Sequence, residues 1–458
     1  VTSPPAKLNV FLARTIRGSV GVLKQGPEGE TPFPADLRTA QTDAFQPDGV
    51  GGYTKVVGAG LADGTFTIPG MPPGAYLAVV NLADGSPWTG LWTTLEDLDF
   101  RRYKTGRSGA NLSVVGQTSV KLALSGALPA PIARVELYAP TLSLLLTSPG
   151  PMYQWPWMGL PLFEAAKDNV WVQALRTETV PAGVVTSIQG SYEIPPFNLP
   201  DIGEMLINVP FTAPAPAAAF RFQADIDAYA NQLPLVNPAY APATNRGVYK
   251  FMLRPQVYGG DIGPIPEWAT ILDLSTQQTG MYDTGSLAYA DPYPVDWKRF
   301  LIARQEFTLD LQVPGNASVR VSDALQEIWP VSQLAGTPLQ PLGVPVDQPR
   351  INGVSLFAPP ASVGATPILT WTARAGSQPT YYTVTVYEVD TTEAKLVLRG
   401  EFHTEAPSLI LPTGLLKPGA FHVARINMVW ARSYDPLNPL RPVWPIATAP
   451  VYSAPFKP

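Results

Sequence analysis

The chain has 458 residues, carries no cysteine, and has a net charge of −5 with only 15% charged residues. These values exclude a disulfide framework, thiolate metal sites and a nucleic-acid surface built on a basic stripe, since no Lys/Arg cluster occurs. The 52 prolines and 38 glycines among 45% hydrophobic residues exclude long helices and disorder, leaving short strands, many turns and packed cores.

At about 100–200 residues per domain, several domains are expected. No run of about 18 apolar residues occurs, so no membrane span is expected. The first residue is Val1, which fits either a removed signal peptide or a trimmed chain.

Residues 1–110 read as the first domain. Leu8–Leu12 and Ile16–Leu23 have strand character, and 24–52 is a polar, Pro/Gly-bearing excursion. In "DGTFTIP" Asp63-Gly64 forms a tight turn, and Phe66 and Ile68 share one face at period two. In "GAYLAVV" Tyr76, Ala78 and Val80 share one face while Leu77 and Val79 take the other. Both faces are apolar, which predicts a strand covered on both sides. Residues 105–118, "TGRSGANLSVVGQT", have the composition of a linker.

Residues 111–340 form a larger β-rich middle region of one or two subdomains. Strands are predicted over 120–124, 133–137, 170–175, 184–188, 205–209, 219–223, 248–253 and 307–313. Phe222–Leu233 and Ser322–Trp329 are the two proline-free stretches with helical character. A large sandwich and a small propeller both fit this spacing. Residues 336–353 are Pro-rich and read as a semi-rigid linker. In the last domain, 346–458, "PILTWTA" supplies a core Trp371 and "YYTVTVYEV" alternates cleanly. "LKPGAFHVARINMVWA" places His422, Ala424, Ile426, Met428 and Trp430 on one face.

Two segments resemble known families. "TIRGSV" followed by "DGTFTIPGMPPGAYLAVV" resembles the transthyretin-like, carboxypeptidase-regulatory-type β-sandwich, with Met71 where that family has Val or Leu. Residues 346–458 resemble a fibronectin type III domain, with His422 at the position of that family's F-strand tyrosine. The resemblances imply non-catalytic, immunoglobulin-like antiparallel sandwiches of the kind common in secreted bacterial proteins. The fold class expected is therefore all-β and multidomain, in a secreted or cell-surface protein.

Chemistry is sparse. Of the two histidines, His422 is expected to bond nearby backbone at a sandwich corner, and His403 to face solvent at a strand end. Asp283-Thr284-Gly285-Ser286 matches the aspartic-protease signature, but such enzymes need two carboxylates and no second D-T-G or D-S-G occurs. A lone D-T-G arises by chance in about one chain in ten of this length. Asp283 is therefore expected to shape a turn. Asp225 with Asp227, and Glu96 with Asp97 and Asp99, are acid groups able to hold Ca²⁺ through oxygen, without a full ligand spacing. Trp88 and Trp92, and Trp155 and Trp157, cluster as platforms for a sugar face or a protein partner, or else as core.

Three functions follow as expectations. The first is a non-catalytic structural or adhesive protein that binds itself, another extracellular protein or an extracellular polysaccharide. The second is an extracellular glycosidase or protease with its active site in the middle region. The third is a carbohydrate-binding protein using the tryptophan clusters.

Overall fold

The computed structural model describes the chain except for residues 1–12, 49–51, 83, 114–116, 127, 129–130, 149–153, 157–158, 215, 241–246, 259–268, 316–317, 335, 337 and 442. The protein is all-β. Among the described residues only Ile226–Ala230 and Leu233–Val236 are α-helical. Asp225 caps the first of these by accepting from Ala228 N at 3.0 Å. Prolines and period-two alternation thus set the fold class, as expected from sequence.

The N-terminal part is two packed layers. One layer contains Arg14–Gly26, flanked by Gly29–Pro34 and Thr65–Met71 and paired in parallel with Asp97–Thr105. The other contains Gln41–Pro47, Tyr53–Val57, Tyr76–Asn81 and Trp88–Thr93. Ile16, Phe66, Ile68, Tyr76, Ala78, Leu91 and Phe100 fill the space between them. The Asp63-Gly64 turn forms as read: Asp63 Oδ1 accepts from Thr65 N at 3.0 Å and Gly64 sits at φ 79°. The excursion 24–52 is not a loop. It carries the strands Gly29–Pro34 and Gln41–Pro47, the second with Ala44 and Phe45 buried. Leu8–Leu12 lies outside the described residues.

A second sandwich packs Gln117–Gly126 and Ile202–Phe211, themselves a parallel pair, against Arg134–Ala139, Val170–Val180 and Gly183–Ile194. The 307–313 strand is the end of a longer one, Lys298–Leu311, which forms a hairpin with Val319–Pro330. Ser322–Trp329 is thus strand rather than helix. Leu325 and Ile328 bury on opposite faces, in different cores, and tertiary packing overrides local propensity. The predicted strand 219–223 is interrupted, ending at Phe220 and resuming at Gln223.

In the C-terminal part, Asp347–Ile351, Ile368–Thr372 and Ser408–Ile410 face Tyr381–Asp390, Lys395–Thr404, His422–Ala431 and Ile446–Tyr452. Trp371 is 3% exposed in the core between them, as are Ala424, Ile426 and Met428 at 0–1%. Trp430 is only half-buried, against the same core.

These parts share one sheet. From Leu144–Ser148 to Tyr53–Val57, 16 strands are hydrogen-bonded in unbroken succession. The middle region joins the C-terminal part through Gln326–Ile328 on Ile446–Thr448, antiparallel. The C-terminal part joins the N-terminal part through Gly400–His403 on Trp88–Leu91, parallel. Cores cross the same seams. Leu77, Val79 and Trp88 bury among Val384, Phe402 and Ile426, so the strand with two apolar faces is covered by two different parts of the chain. Gly90 allows this closeness, since a Cβ there would lie 2.4 Å from the Phe402 ring.

Both linker-like segments are docked. Arg107 is 2% exposed and pairs with Asp168. In the Pro-rich segment Leu339 N donates to Gln223 O at 2.8 Å and Leu342 N to Glu327 Oε1 at 2.6 Å.

Candidate functional site

A cavity lies where the three parts meet. It has a volume of about 880 Å³, within the roughly 300–1,000 Å³ of small-molecule sites. Its floor is one face of the C-terminal sheet. Alternation turns Val384 and Val386 into the apolar core and leaves Thr383 and Thr385 on the opposite face. Register then builds two polar rows. Thr383 stands between His403 and Asn427, and Thr385 between Glu401 and Arg425.

The roof comes from the N-terminal part. Leu98 and Phe100 point into that part's core. Two and four residues further on, Arg102 and Lys104 lie over the cavity, with Lys24 from the neighbouring strand. Leu142 and Ser143 close one side, and Pro439 and Leu440 another. The loop bearing Leu440 is fixed to the roof: Asp99 N donates to Leu437 O at 3.0 Å, and Arg441 pairs with Glu30.

His403 Nε2 lies 3.1 Å from Glu401 Oε1. Burial works against the ionised Glu401 carboxylate. Its bond to His403 and the nearby Arg102 and Arg425 guanidinium groups outweigh this and pull its pKa down to about 2. Glu401 is then an acceptor only, so His403 Nε2 donates to it. Arg425 Nε donates to Asp323 Oδ2 at 2.8 Å, which Tyr452 also reaches at 2.7 Å. Two polar atoms of the floor, His403 Nδ1 and Asn427 Oδ1, are buried and have no hydrogen-bond partner among the described residues. Each of these side chains belongs to a residue only 5% exposed.

His403 does stand at a strand end, one residue before Thr404, but it is buried beneath the N-terminal roof rather than facing solvent, a cover that local sequence does not announce. His422 does sit at a sandwich corner bonded to backbone: Lys417 N donates to its Nε2 at 3.1 Å, and burial pushes its pKa down to about 4.

The other sequence-derived residues lie apart from the cavity. Asp283 accepts from Gly285 N at 2.9 Å, with Gly285 at φ 61°, and pairs with Arg221, which holds its carboxyl well below the usual range. Asp99 pairs with Arg101 at 2.6 Å, and Asp97 begins the same strand just after Glu96. Asp225 is the helix cap, and Asp227 lines a separate cavity of about 540 Å³. No group of three or more His, Asp or Glu residues comes together among the described residues. Trp88 is 8% exposed in the core shared with the C-terminal part, and Trp92 packs half-buried against it. Neither has the open face of a platform. Trp155 lies in the short strand Gln154–Pro156, opposite Val120; Trp157 is outside the described residues.

Glu401, Arg425, Asn427, Arg102, Lys104 and Lys24 carried no motif. Arg425 and Asn427 had one signal, the polar half of the alternation in "FHVARINMVW".

No family model and no curated protein matches the chain. A solved structure of a tetra-tandem repeat in the extending region of a large adhesion protein aligns with 96% of this chain and 99% of its own. The identity is 12% and the TM-score 0.13, too low to carry an argument about fold or role. No described helix is long and apolar enough to cross a membrane.

Proposed function

We propose that the protein is a non-catalytic structural and adhesive protein of the cell surface or extracellular space, binding itself, a partner protein or a polysaccharide. The observation that carries this reading is the single sheet running through all three parts. Shared cores at both seams oppose hinge motion between the parts, which suits a rigid spacer or scaffold. The resemblance of both ends to transthyretin-like and fibronectin type III sandwiches supports the same role.

The acid groups support it too. Acid–base hydrolysis uses two carboxyl groups facing one bond. Among the described residues Glu401 is the one carboxylate lining the cavity where the three parts meet, and His403, Arg102 and Arg425 hold it ionised. Burial raises the Glu327 pKa to about 7, but that residue is 2% exposed and its oxygens bond Leu342 N and Trp329 Nε1. For self-binding, the terminal strand Tyr53–Val57 offers an edge with Val57 66% exposed.

The test combines sedimentation velocity over a concentration series, retention on immobilised acidic and neutral polysaccharides, and assays for cleavage of casein and of each polysaccharide. Self-association or retention without cleavage is expected. Turnover of any of these substrates would overturn the non-catalytic reading.

A further inference from the structure

We infer that the inter-module cavity is a binding site for an acidic oligosaccharide, a short stretch of polyhydroxylated chain bearing sugar carboxylates. The inference rests on the reading above that the protein binds extracellular polymers, and it assigns the place and the ligand class.

The argument starts with the floor. A buried polar atom without a partner costs about 1–3 kcal/mol, so one that faces a cavity is best matched by whatever occupies it. His403 Nδ1 and Asn427 Oδ1 flank Thr383 on opposite sides in that way. Asn427 Oδ1 is an acceptor, and His403 Nδ1 is a second unpaired polar atom on the same face. An unpaired acceptor beside two threonine hydroxyls calls for a ligand with hydroxyl donors. Hydroxyl groups on a sugar ring supply donors at the spacing of neighbouring side chains, and the Thr383 and Thr385 hydroxyls can give or take alongside them.

The roof adds to the charge. Among the described residues, Lys24, Arg102 and Lys104 of the roof and Arg425 of the floor line the cavity against Glu401, an excess of positive charge in a protein whose net charge is −5. Arg425 is engaged by Asp323, whereas Lys104 is exposed and has no ion pair among the described residues. Cations above and acceptors below match a molecule with carboxylates on one side and hydroxyls on the other. A purely anionic ligand such as phosphate would leave the floor acceptors unmatched, and a neutral sugar would leave the roof cations unmatched.

The volume admits a short segment rather than a folded partner. The floor belongs to strands locked into the common sheet, so the site is formed before the ligand arrives and little ordering cost is incurred on binding.

The experiment is calorimetric titration of the whole chain with trigalacturonic acid, with its neutral galactose counterpart and with sodium sulfate. Binding of the acidic trisaccharide, weakened by added salt, is expected, with neither comparison ligand binding comparably. Lys104→Ser combined with Arg102→Ser should weaken it at least about tenfold through surface positions that leave the fold intact. Asn427→Ala should weaken it about tenfold by removing a floor acceptor; its near-ultraviolet dichroism checks that it is folded. The inference is overturned if trigalacturonate does not bind, if sulfate or the neutral sugar binds as well, or if the folded variants bind like the parent. Loss of this binding with self-association intact would remove the site assignment alone. Shortening of the trisaccharide would confirm the site while removing the non-catalytic reading.

Discussion

Replacing Asp168 by alanine strikes the joint between the N-terminal part and the middle region. Asp168 and Arg107 are 3% and 2% exposed. The carboxylate takes two bonds from the guanidinium, Nε to Oδ1 at 2.8 Å and Nη2 to Oδ2 at 2.9 Å, one from Thr141 Oγ1 at 2.8 Å and one from Glu164 N at 2.8 Å. Removing it leaves a buried cation and two orphaned donors. Breaking a buried pair from one side costs about 3–5 kcal/mol. Glu164, 2.9 Å from Arg107, keeps part of the charge compensated, so about 3 kcal/mol is expected. That is a large share of the roughly 5–15 kcal/mol that holds a typical protein folded. Urea denaturation of Asp168→Ala should show an early transition in the N-terminal and middle regions. A double variant, Arg107→Met with Asp168→Leu, removes both charges together and should recover part of that loss, the orphaned Thr141 and Glu164 donors keeping it below the parent. Acid acts in the same direction as the single variant. Burial opposes ionisation of Asp168, but its bonds to Arg107, Glu164 N and Thr141 prevail and lower its pKa. The stability it gives is thus complete above the ordinary carboxylate range and fades as pH falls through the lowered value. An Asp168→Ala midpoint equal to the parent's, or a double variant as unstable as the single, would refute the clamp.

Gly90→Ala places a Cβ 2.4 Å from the Phe402 ring at the parallel seam, and should cost about 1–3 kcal/mol, read as a lowered thermal midpoint; an unchanged midpoint would show that the seam is loosely packed. Glu327 and His422 tilt the pH profile in opposite senses. Burial raises the Glu327 pKa from 4.5 to about 7, so its contribution is intact below 4.5 and lost as pH rises to 7. Burial lowers the His422 pKa from 6.5 to about 4, so its contribution is intact above 6.5 and lost as pH falls to 4. Glu327→Gln should therefore unmask a rise in stability from pH 4 to 6.5 of at most about 3 kcal/mol; a profile parallel to the parent's would contradict the Glu327 assignment, and a variant profile without that rise the His422 assignment. Asp283→Ala should leave the protein folded and without effect on denatured casein at acidic pH; cleavage by the parent that the variant lacks would make Asp283 catalytic after all.

The legible part of the fold was what alternation encodes. Phe66 with Ile68, the two apolar faces of Tyr76–Asn81, the core position of Trp371 and the backbone bond of His422 all follow from period two and turn chemistry. What alternation cannot encode is the identity of the cover. Leu77 and Val79 announced a second apolar neighbour, but that neighbour is Phe402 and Ile426, more than 300 residues along the chain. For the same reason His403 looked exposed: the roof of Arg102 and Lys104 belongs to another part of the chain. Ser322–Trp329 looked helical because its composition is neutral between the two states, and its long hairpin partner decided the matter.

The common sheet also answers a difficulty in the composition. A β-protein with 15% charged residues has few Lys and Glu to guard its strand edges, and unguarded edges pair with whatever edge they meet. Here the modules meet each other. Trp88–Leu91 would be a bare edge of the N-terminal part, and Gly400–His403 a bare edge of the C-terminal part; they pair with each other. Ile446–Ile328 pairing disposes of another two edges. Each internal pairing also brings apolar side chains into one core, Trp88 with Phe402 at one seam and Ile328 with Ile446 at the other. The sheet still ends at Tyr53–Val57 and at Leu144–Ser148. At the first of these Lys55 is tied down by Asp43 at 2.7 Å, while Val57 remains open. If the chain assembles with itself through an edge, that strand is where the unmet hydrogen bonds and the exposed apolar side chain coincide.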